Sequence, residues 1–261
     1  MGKQILILGC GWVGEELALT LLRVGYQVYC TVTSAEKCAR LREMGIQAIV
    51  VDFDNTAVGA ALPAAVDYMV TSVPASSKSS VPAIAERFAH VSATLRGINY
   101  KRHIFLSSIG IYPDADLVFD ETHTEGLNLR LKTAEDSMLA LPNTLVYRLA
   151  GLFGKNRIFA KYFEDKVCTT GEQPANFVHL DDVVALLILG LTEELSSKEI
   201  FNIVAPEHPS KAAVIQASAQ RYGYRLPESF KPVYTTQKIV RSDKIRERLN
   251  YTFRYPSPLN F

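Results

Sequence analysis

The sequence of 261 residues predicts an α/β protein built on a doubly wound parallel sheet. A short apolar run at residues 4–8 leads directly into a glycine-rich turn and then into an amphipathic helix. Strand-like and helix-like segments alternate from there to residue 147, which is typical of parallel sheets. Beyond residue 154 the alternation weakens, and this change predicts a small, mixed α+β lobe in the C-terminal part.

The first strand, Gln4–Leu8, is followed by the motif Gly9-Cys10-Gly11-Trp12-Val13-Gly14. Gly9 would let the chain turn sharply, Gly11 would let the backbone approach a pyrophosphate, and Gly14 would let the helix pack closely on the strand. The start of the helix would offer its unpaired N–H groups to the phosphates. The pattern therefore predicts a Rossmann dinucleotide site that includes Trp12 and Val13; the alternative is a glycine-rich turn that binds no ligand.

The end of the second predicted strand, residues 27–32, bears on the choice between NAD and NADP. A carboxylate at this position binds the ribose 2′-hydroxyl of NAD and repels the 2′-phosphate of NADP. Here the residues are Thr33 and Ser34, with Lys37 one helical turn further on, and none of them is acidic. The sequence favours NADP over NAD, although Lys37 has the alternative of being only a solvated charge on the helix that Ser34 caps.

The next two predicted strands, residues 46–51 and 66–73, supply the rest of the coenzyme site. Asp52 and Phe53 follow the third strand, where Asp52 is a candidate to accept a hydrogen bond from an adenine amino group. Three residues at the end of the fourth strand are also expected to contact the coenzyme: Ser72, Val73 and Pro74. The polar segment 75–80 that follows is expected to be a loop at the edge where this fold binds its ligands.

The fifth strand, residues 103–107, ends in Ser107 and Ser108, two hydroxyls placed to touch a coenzyme or a reacting group. They are also ordinary residues for the end of a strand. A helix at about 127–141 and a sixth strand at 144–147 complete the predicted core of residues 1–154. Residues 155–261 are expected to form mainly a substrate lobe, with a strand at 200–204 returning to the core.

Composition argues against several classes of partner. The chain has 28 Lys and Arg against 27 Asp and Glu, so its net charge of +1 creates no field for nucleic acid or an anionic membrane. The four cysteines show no C-x-x-C spacing and no neighbouring histidine, so no metal site is expected. The apolar stretches are too short for a signal peptide or a membrane span, and we expect a cytoplasmic protein.

Four motifs occur in an order that resembles a known family. They are Gly9–Gly14, Ser107–Tyr112, Arg148–Gly154 and Val178–Asp182. Together they resemble the extended short-chain dehydrogenase/reductases, or NAD-dependent epimerase/dehydratase family, and in particular its atypical YeeZ-like bacterial members. The Phe-Asn-Ile-x-Ala-Pro-x-His-Pro stretch of those members matches residues 201–209.

The resemblance implies a Rossmann core that binds NAD(P) and a Ser, Tyr, Lys catalytic set. Ser108 matches the serine. If Lys132 matches the lysine, then Asn128 stands at the tyrosine position, and asparagine cannot act as an acid or base near neutral pH. If the register is one residue earlier, both positions are leucine. Ser108 and Lys132 are thus the catalytic candidates, without the usual tyrosine.

The resemblance also implies a set of substrate residues: Tyr112, Arg148, Gly151, Leu152, Phe153 and His179. Alternative roles remain open for several of them. Tyr112 is a candidate for packing beneath the substrate loop, and Arg148 for fastening the sheet edge. His179 stands at a strand-to-helix junction, where Asp181 or Asp182 is expected to cap the helix.

The sequence therefore predicts an NAD(P)-dependent oxidoreductase or epimerase/dehydratase-like enzyme that acts on a small polar substrate, with nucleotide sugars as one candidate class. The alternative is a catalytically inactive NAD(P)-binding sensor or scaffold, which the missing tyrosine favours. A homodimer is expected by analogy with the family alone.

Overall fold

In a computed structural model, residues 2–55, 62–75, 78–231, 233 and 235–261 are described. Ser76 and Ser77 of the predicted polar loop lie outside these residues. Within these described residues there are thirteen strands: β1 (Gln4–Leu8), β2 (Gln27–Val32), β3 (Gln47–Val50), β4 (Tyr68–Thr71), β5 (Arg102–Ser108), β6 (Val118–Phe119), β7 (Thr144–Leu149), β8 (Gly151–Phe153), β9 (Val167–Cys168), β10 (Phe177–His179), β11 (Ile200–Ile203), β12 (Ser229–Phe230) and β13 (Ile239–Val240).

The described part of the chain has seven α-helices. They are α1 (Trp12–Arg23), α2 (Ala35–Glu43), α3 (Val81–Arg96), α4 (Leu129–Leu139), α5 (Leu180–Thr192), α6 (Lys211–Tyr222) and α7 (Asp243–Arg248). Ser34, Ser80 and Ser210 cap α2, α3 and α6, because each side chain accepts a hydrogen bond from the first turn of its helix.

Seven strands form one sheet in the order β11-β7-β5-β4-β1-β2-β3. The registers of β1 with β2 and β4, of β2 with β3, and of β4 with β5 are all parallel. The order reverses between β1 and β4, which is the position where doubly wound sheets bind their ligands. The predicted doubly wound parallel sheet with flanking helices is confirmed.

The chain divides into two compact units that interleave along the sequence. Unit 1 comprises Met1–Ile111, Leu127–Tyr147 and Leu187–Ile200, and unit 2 comprises Tyr112–Gly126, Arg148–Leu186 and Phe201–Phe261. The sequence placed a single boundary at residue 154 between a dinucleotide-binding and a substrate-binding region, and that functional division stays a prediction.

The core of unit 1 packs apolar side chains of the sheet against α3 and α4. Leu6, Met69 and Phe105 are almost fully buried on the strands, and Phe88 of α3 meets the ring of Phe105 edge to face at 5.4 Å. Burial of these side chains removes a large apolar area from water, which stabilises the sheet that carries the glycine turn.

Unit 2 has its own small aromatic core. Phe153, Phe159, Ala175 and Val214 are buried together, with Phe177 and Tyr255 packed against them. Unit 2 also contains three pairs of parallel strands: β10 with β8, β12 with β9, and β13 with β6.

Candidate functional site

The turn between β1 and α1 has the steric properties that its glycines predict. Gly9 has a φ of +76°, and a Cβ on it would lie 3.0 Å from the backbone of Ser72 and Val73. A Cβ on Gly14 would lie 3.1 Å from Cγ2 of Ile7 on β1. At Gly11, by contrast, a Cβ would meet only the carbonyl oxygen of Gly9, at 3.9 Å. Two of the glycines therefore serve packing, and the third faces open space.

Thr31, a residue that sequence reasoning did not select, holds this turn against β2. Its hydroxyl oxygen accepts a hydrogen bond from the N–H of Gly9 at 2.8 Å, and its carbonyl accepts one from the N–H of Cys10 at 2.8 Å. Gly11 is the N-cap of α1, so no side chain caps this helix. Trp12 and Val13 form its first turn, and the Val13 side chain is buried.

A pocket of about 510 Å³ opens at this turn, and those of its lining residues that the structure describes all belong to unit 1. Its volume lies within the range of small-molecule sites. The predicted coenzyme residues that line it are Gly9, Gly11, Thr33, Ser34, Lys37, Asp52, Phe53, Ser72, Val73 and Pro74. Ser79, from the polar segment 75–80 that was predicted at the ligand-binding edge, also lines it. Further lining residues were not predicted: Cys10, Thr31, Val32, Val51, Asp54 and Arg87. Four predicted coenzyme residues are not among its described lining residues: Trp12, Val13, Gly14 and Ser107.

Lys37, which lines the pocket after the end of β2, belongs to a cluster of two cations and one carboxylate. Lys37 Nζ lies 3.1 Å from Glu15 Oε2, and the Arg40 guanidinium makes two hydrogen bonds to the same carboxylate, at 2.7 and 2.9 Å. The hydrogen bond from Arg40, together with Lys37, lowers the pKa of Glu15 to about 2. Of these three residues only Lys37 is among the described lining residues, so its ammonium is the positive group that the pocket has at the end of β2.

The wall that follows β3 is ordered by its own polar groups. Asp52 accepts hydrogen bonds from the N–H of Asp54 at 3.0 Å and from the Asn55 amide at 2.7 Å, so its carboxylate closes the turn. Arg87 of α3 pairs with Asp54 through two nitrogens, at 2.5 and 2.9 Å. Whether Asp52 also accepts from an adenine stays a prediction.

Ser107 and Ser108, at the end of β5, lie in different surroundings. Ser107 is buried, and its hydroxyl donates a hydrogen bond of 2.6 Å to Glu135, a buried residue of α4. Ser108 is only partly buried, and its oxygen accepts from the N–H of Gly110 at 3.1 Å. Its hydroxyl hydrogen is therefore not used in that contact, which leaves Ser108 the better placed of the two to donate to a ligand.

The start of α4 holds the two positions where the resemblance implies a tyrosine and a lysine. Asn128 is the N-cap, and its side chain accepts hydrogen bonds from the N–H groups of Arg130 and Leu131. Lys132 points to solvent and pairs with Asp136, at 2.5 and 2.6 Å. A Cβ on Gly110 would lie 3.3 Å from Ser108 Oγ and 3.9 Å from Leu131, so Leu131 packs near the serine. Which of the two registers applies stays a prediction.

Two of the predicted substrate residues, Tyr112 and Arg148, form a buried polar network in unit 2. Tyr112 is 2% exposed and Arg148 3%. The Tyr112 hydroxyl donates to Asn202 Oδ1 at 2.8 Å and accepts from Arg148 Nη1 at 2.9 Å. Burial raises the pKa of Tyr112, and the charge of Arg148 opposes the shift. This arrangement is that of a packing tyrosine, and its contact with a substrate stays a prediction.

The remaining predicted substrate residues, Gly151, Leu152, Phe153 and His179, lie on the paired strands β8 and β10 of unit 2. Phe177 occupies the space where a Gly151 side chain would stand. The His179 ring packs over Gly154 and stacks on Tyr255, with ring centroids 3.7 Å apart. Burial lowers the pKa of His179. These close contacts make the strand pair a packed part of unit 2.

The expectation that Asp181 or Asp182 caps α5 is wrong. The His179 ring accepts the capping hydrogen bond, from the N–H of Asp181 at 3.1 Å. Asp182 is fully buried and binds the C-terminal segment, because it accepts from the Tyr251 hydroxyl and from the N–H groups of Arg254 and Tyr255. The sequence could not reveal this, since the partners lie about seventy residues away.

We compared the chain with protein-family models, with characterised proteins and with solved structures. No protein-family model matches the chain. Protein YeeZ of Escherichia coli (strain K12) is 29% identical to it over 273 residues, which covers 98% of this chain and 98% of YeeZ. The chain is similar to YeeZ along almost its whole length. The resemblance predicted from the motifs is therefore confirmed.

Several solved structures have the same fold as this chain over nearly all its length. Human epimerase family protein SDR39U1 with NADPH gives a TM-score of 0.76 at 16% identity, covering 99% of this chain and 97% of that one. MoeE5 in complex with UDP-glucuronic acid and NAD gives 0.73 at 16%, covering 99% and 96%. UDP-glucose 4-epimerase of Thermotoga maritima with UDP-glucose gives 0.75 at 16%, covering 99% and 96%.

Two further features concern all the described residues of the chain. They contain no group of three or more His, Cys, Asp or Glu side chains arranged to hold a metal ion. Within the same residues, no helix combines the length and the apolar character needed to cross a membrane.

Proposed function

We propose that the protein binds NADP or NAD at the β1–α1 turn and acts as an NAD(P)-dependent oxidoreductase or epimerase/dehydratase-like enzyme on a small polar substrate, with nucleotide sugars as one candidate class. The observation that carries the proposal is the open space at Gly11, on an α-helix without a side-chain cap, at the mouth of a pocket of about 510 Å³. Backbone N–H groups at such a position bind phosphate well, because the helix dipole adds to their hydrogen bonds.

The residues of the pocket fit the parts of a dinucleotide. Gly11 and the first turn of α1 would hold the pyrophosphate, and Phe53 and Asp52 would lie beside the adenine. Ser72 to Pro74 would line the path toward the nicotinamide. A bound nicotinamide would supply hydride transfer. Ser108 is proposed to orient the reacting oxygen by donating its hydroxyl hydrogen.

We propose a preference for NADP over NAD, because the Lys37 ammonium lines the pocket at the end of β2 and no carboxylate follows that strand directly. A Lys37→Gln variant should bind NADP about tenfold more weakly and NAD within about twofold of the unmodified protein, since only NADP has a 2′-phosphate for the ammonium to attract. Titration calorimetry with both coenzymes would measure the two constants. Lys101→Gln is the matched control, because it also breaks an ion pair, with Asp67, but lies outside the pocket. Equal losses for both coenzymes would contradict the preference.

The second candidate function is a dinucleotide-binding sensor or scaffold without hydride chemistry. The start of α4 favours it, because Asn128 caps the helix, Lys132 is paired at the surface and Leu131 packs near Ser108. An enzyme would need an acid or base from elsewhere. Both candidates require the same coenzyme pocket, so binding and turnover separate them.

The decisive experiment measures coenzyme binding first and turnover second. The melting temperature should rise with saturating NADP or NAD, since a ligand that binds only the folded state stabilises it. Turnover is then followed with nucleotide sugars and small carbonyl compounds, in the unmodified protein and in Ser108→Ala. Absence of any binding would refute both candidates, and binding without turnover would favour the sensor. Activity that survives Ser108→Ala unchanged would refute the role of Ser108.

A further inference from the structure

Arg87 is the most heavily bonded side chain in the wall of the coenzyme pocket. Its guanidinium pairs with both carboxylate oxygens of Asp54, donates to the carbonyl of Pro74 at 2.7 Å and donates to the Ser79 hydroxyl at 3.3 Å. Only 12% of the side chain is exposed. One group on α3 therefore connects the segment that follows β3 to the segment that follows β4.

A second residue on the same face of α3 supports this connection. His90 stands three residues after Arg87, and its Nδ1 lies 2.9 Å from the carbonyl oxygen of Phe53. Residues three apart on a helix are neighbours on its surface. Since Phe53 and Asp54 both line the pocket, α3 fixes two successive residues of the same wall.

The geometry requires an arginine rather than any positive charge. A guanidinium is planar and has five donors in a fixed arrangement, so it can pair with a carboxylate and still donate to a carbonyl and a hydroxyl. A lysine has three donors on one nitrogen and cannot reach the three partners in this arrangement. Arg130 of α4 adds to the effect, because it donates to the Ser79 carbonyl at 2.7 Å.

We propose that Arg87 is a positioning residue that holds the adenine side of the pocket in its binding shape before the coenzyme arrives. The proposal rests on the dinucleotide binding proposed above and deepens it. Arg87 acts through Asp54, Pro74 and Ser79, not through a charge contact with phosphate. Because a wall that is already ordered loses less conformational entropy on binding, the affinity for the adenosine half of the coenzyme is higher.

The test compares Arg87→Ala, Arg87→Lys and Asp54→Asn with the unmodified protein, using calorimetry with NADP, NAD and ADP-ribose. Arg87→Ala should weaken all three ligands by a similar factor of about ten, because all three contain the adenosine half. Arg87→Lys should be nearly as weak, although it keeps the charge. The loss should be the same at low and high salt, whereas a direct contact with phosphate would be screened.

The matched control is Arg96→Ala, which removes an exposed arginine from the last turn of the same helix, outside the pocket. It should bind all three ligands normally. The melting temperature of each variant without ligand shows whether the fold is kept, and if Arg87→Ala fails to fold, Arg87→Lys and Asp54→Asn decide the question.

Two results would overturn the proposal in different ways. If the unmodified protein binds the ligands and Arg87→Ala or Arg87→Lys binds them equally well, the positioning role is wrong and the proposed function stands. If the unmodified protein binds none of them, the proposed function fails and the role of Arg87 fails with it.

Discussion

At the scale of single residues, the glycines of the β1–α1 turn have different roles, some in the stability of the fold and one in ligand binding. A Cβ on Gly9 would be pressed against the backbone of Ser72, and its φ of +76° is unfavourable for other residues. Gly11 has a φ of −78°, which other residues adopt, and open space around its Cβ position. A side chain at Gly9 would therefore strain the fold, whereas a side chain at Gly11, two residues further on, would fit the fold but fill the pocket.

We predict that Gly11→Ala leaves the free energy of unfolding within about 0.5 kcal/mol of the unmodified protein and abolishes most dinucleotide affinity, because the methyl group would occupy the pyrophosphate space. Gly9→Ala should instead lower the free energy of unfolding by about 1–3 kcal/mol. Urea denaturation and calorimetry measure the two quantities on the same variants. A Gly11→Ala protein that binds coenzyme normally would contradict the placement of the pyrophosphate.

The sequence could predict the residues whose task is steric and local. Gly9, Gly11 and Gly14 are recognisable because a turn between a strand and a helix imposes their spacing. Arg87 was not predicted because its partners, Asp54 and Pro74, stand 33 and 13 residues away and meet it only in the folded chain. In the sequence Arg87 stands beside the apolar positions of α3, but arginines that only face solvent often stand there too, so this position did not indicate a role in the pocket.

At the scale of elements, the start of α4 bears on whether the chain has lost a catalytic tyrosine at Asn128. The sequence expected a helix from about residue 127, but the helix begins at Leu129 because Asn128 caps it. An asparagine side chain in the N-cap satisfies N–H groups that the helix leaves unpaired. Asn128 therefore has a structural reason to be present, independent of any lost catalytic tyrosine.

We predict that Asn128→Tyr creates no activity and lowers the free energy of unfolding by about 1 kcal/mol, because tyrosine cannot accept the capping hydrogen bonds of Arg130 and Leu131. Asn128→Asp is the matched control, since its carboxylate keeps the cap. Urea denaturation measures the stability, and a coenzyme-linked assay measures the activity. A gain of turnover in Asn128→Tyr would show instead that α4 is a degenerate catalytic helix.

Long periodic elements were predictable, and the shortest ones were not. Helices α1, α3 and α6 have apolar positions at helical spacing and clear ends. Strands β6, β9, β12 and β13 have two residues each, which is too short for any alternation to appear. Their pairing depends on contacts within unit 2 between distant parts of the chain, for instance that of β13 with β6. No local sequence pattern predicts such pairing.

At the scale of the whole molecule, the sheet was predictable and the division of the chain was not. Alternating strands and helices restrict the topology to a doubly wound sheet, because crossovers between parallel strands have one hand. The division into units depends on which segments pack together in three dimensions. Residues 187–200 cluster with unit 1 although they follow a long stretch of unit 2, and no shift of composition marks that return.

His103, a buried residue of the sheet, makes the stability of the fold depend on pH. It is fully buried on β5, and its two ring nitrogens lie 3.0 Å from the hydroxyl of Thr144 on β7 and 2.9 Å from that of Thr71 on β4. Burial lowers the pKa of His103 to about 3. The ring thus stays neutral in the folded protein at pH values where an exposed histidine is charged.

This shift gives the acid dependence of stability a definite sign. Between about pH 6.5 and pH 3 the unfolded chain binds a proton at His103 and the folded chain does not, so the free energy of unfolding falls as the pH falls, by at most about 1.4 kcal/mol per pH unit. Burial also lowers the pKa of His179 and His208, which adds to the slope in the same direction. The lowered pKa of Glu15 contributes only below about pH 4.5.

We predict that His103→Gln reduces the stability at neutral pH, because it disturbs the contacts with Thr71 and Thr144, but flattens the decline between about pH 7 and pH 5. Glutamine takes up no proton in either state, so the contribution of this position to the slope disappears. Urea denaturation at a series of pH values measures it, and His123→Gln, a replacement on a loop of unit 2, is the control. A slope in His103→Gln as steep as in the unmodified protein would show that the buried ring is not what makes the sheet sensitive to acid.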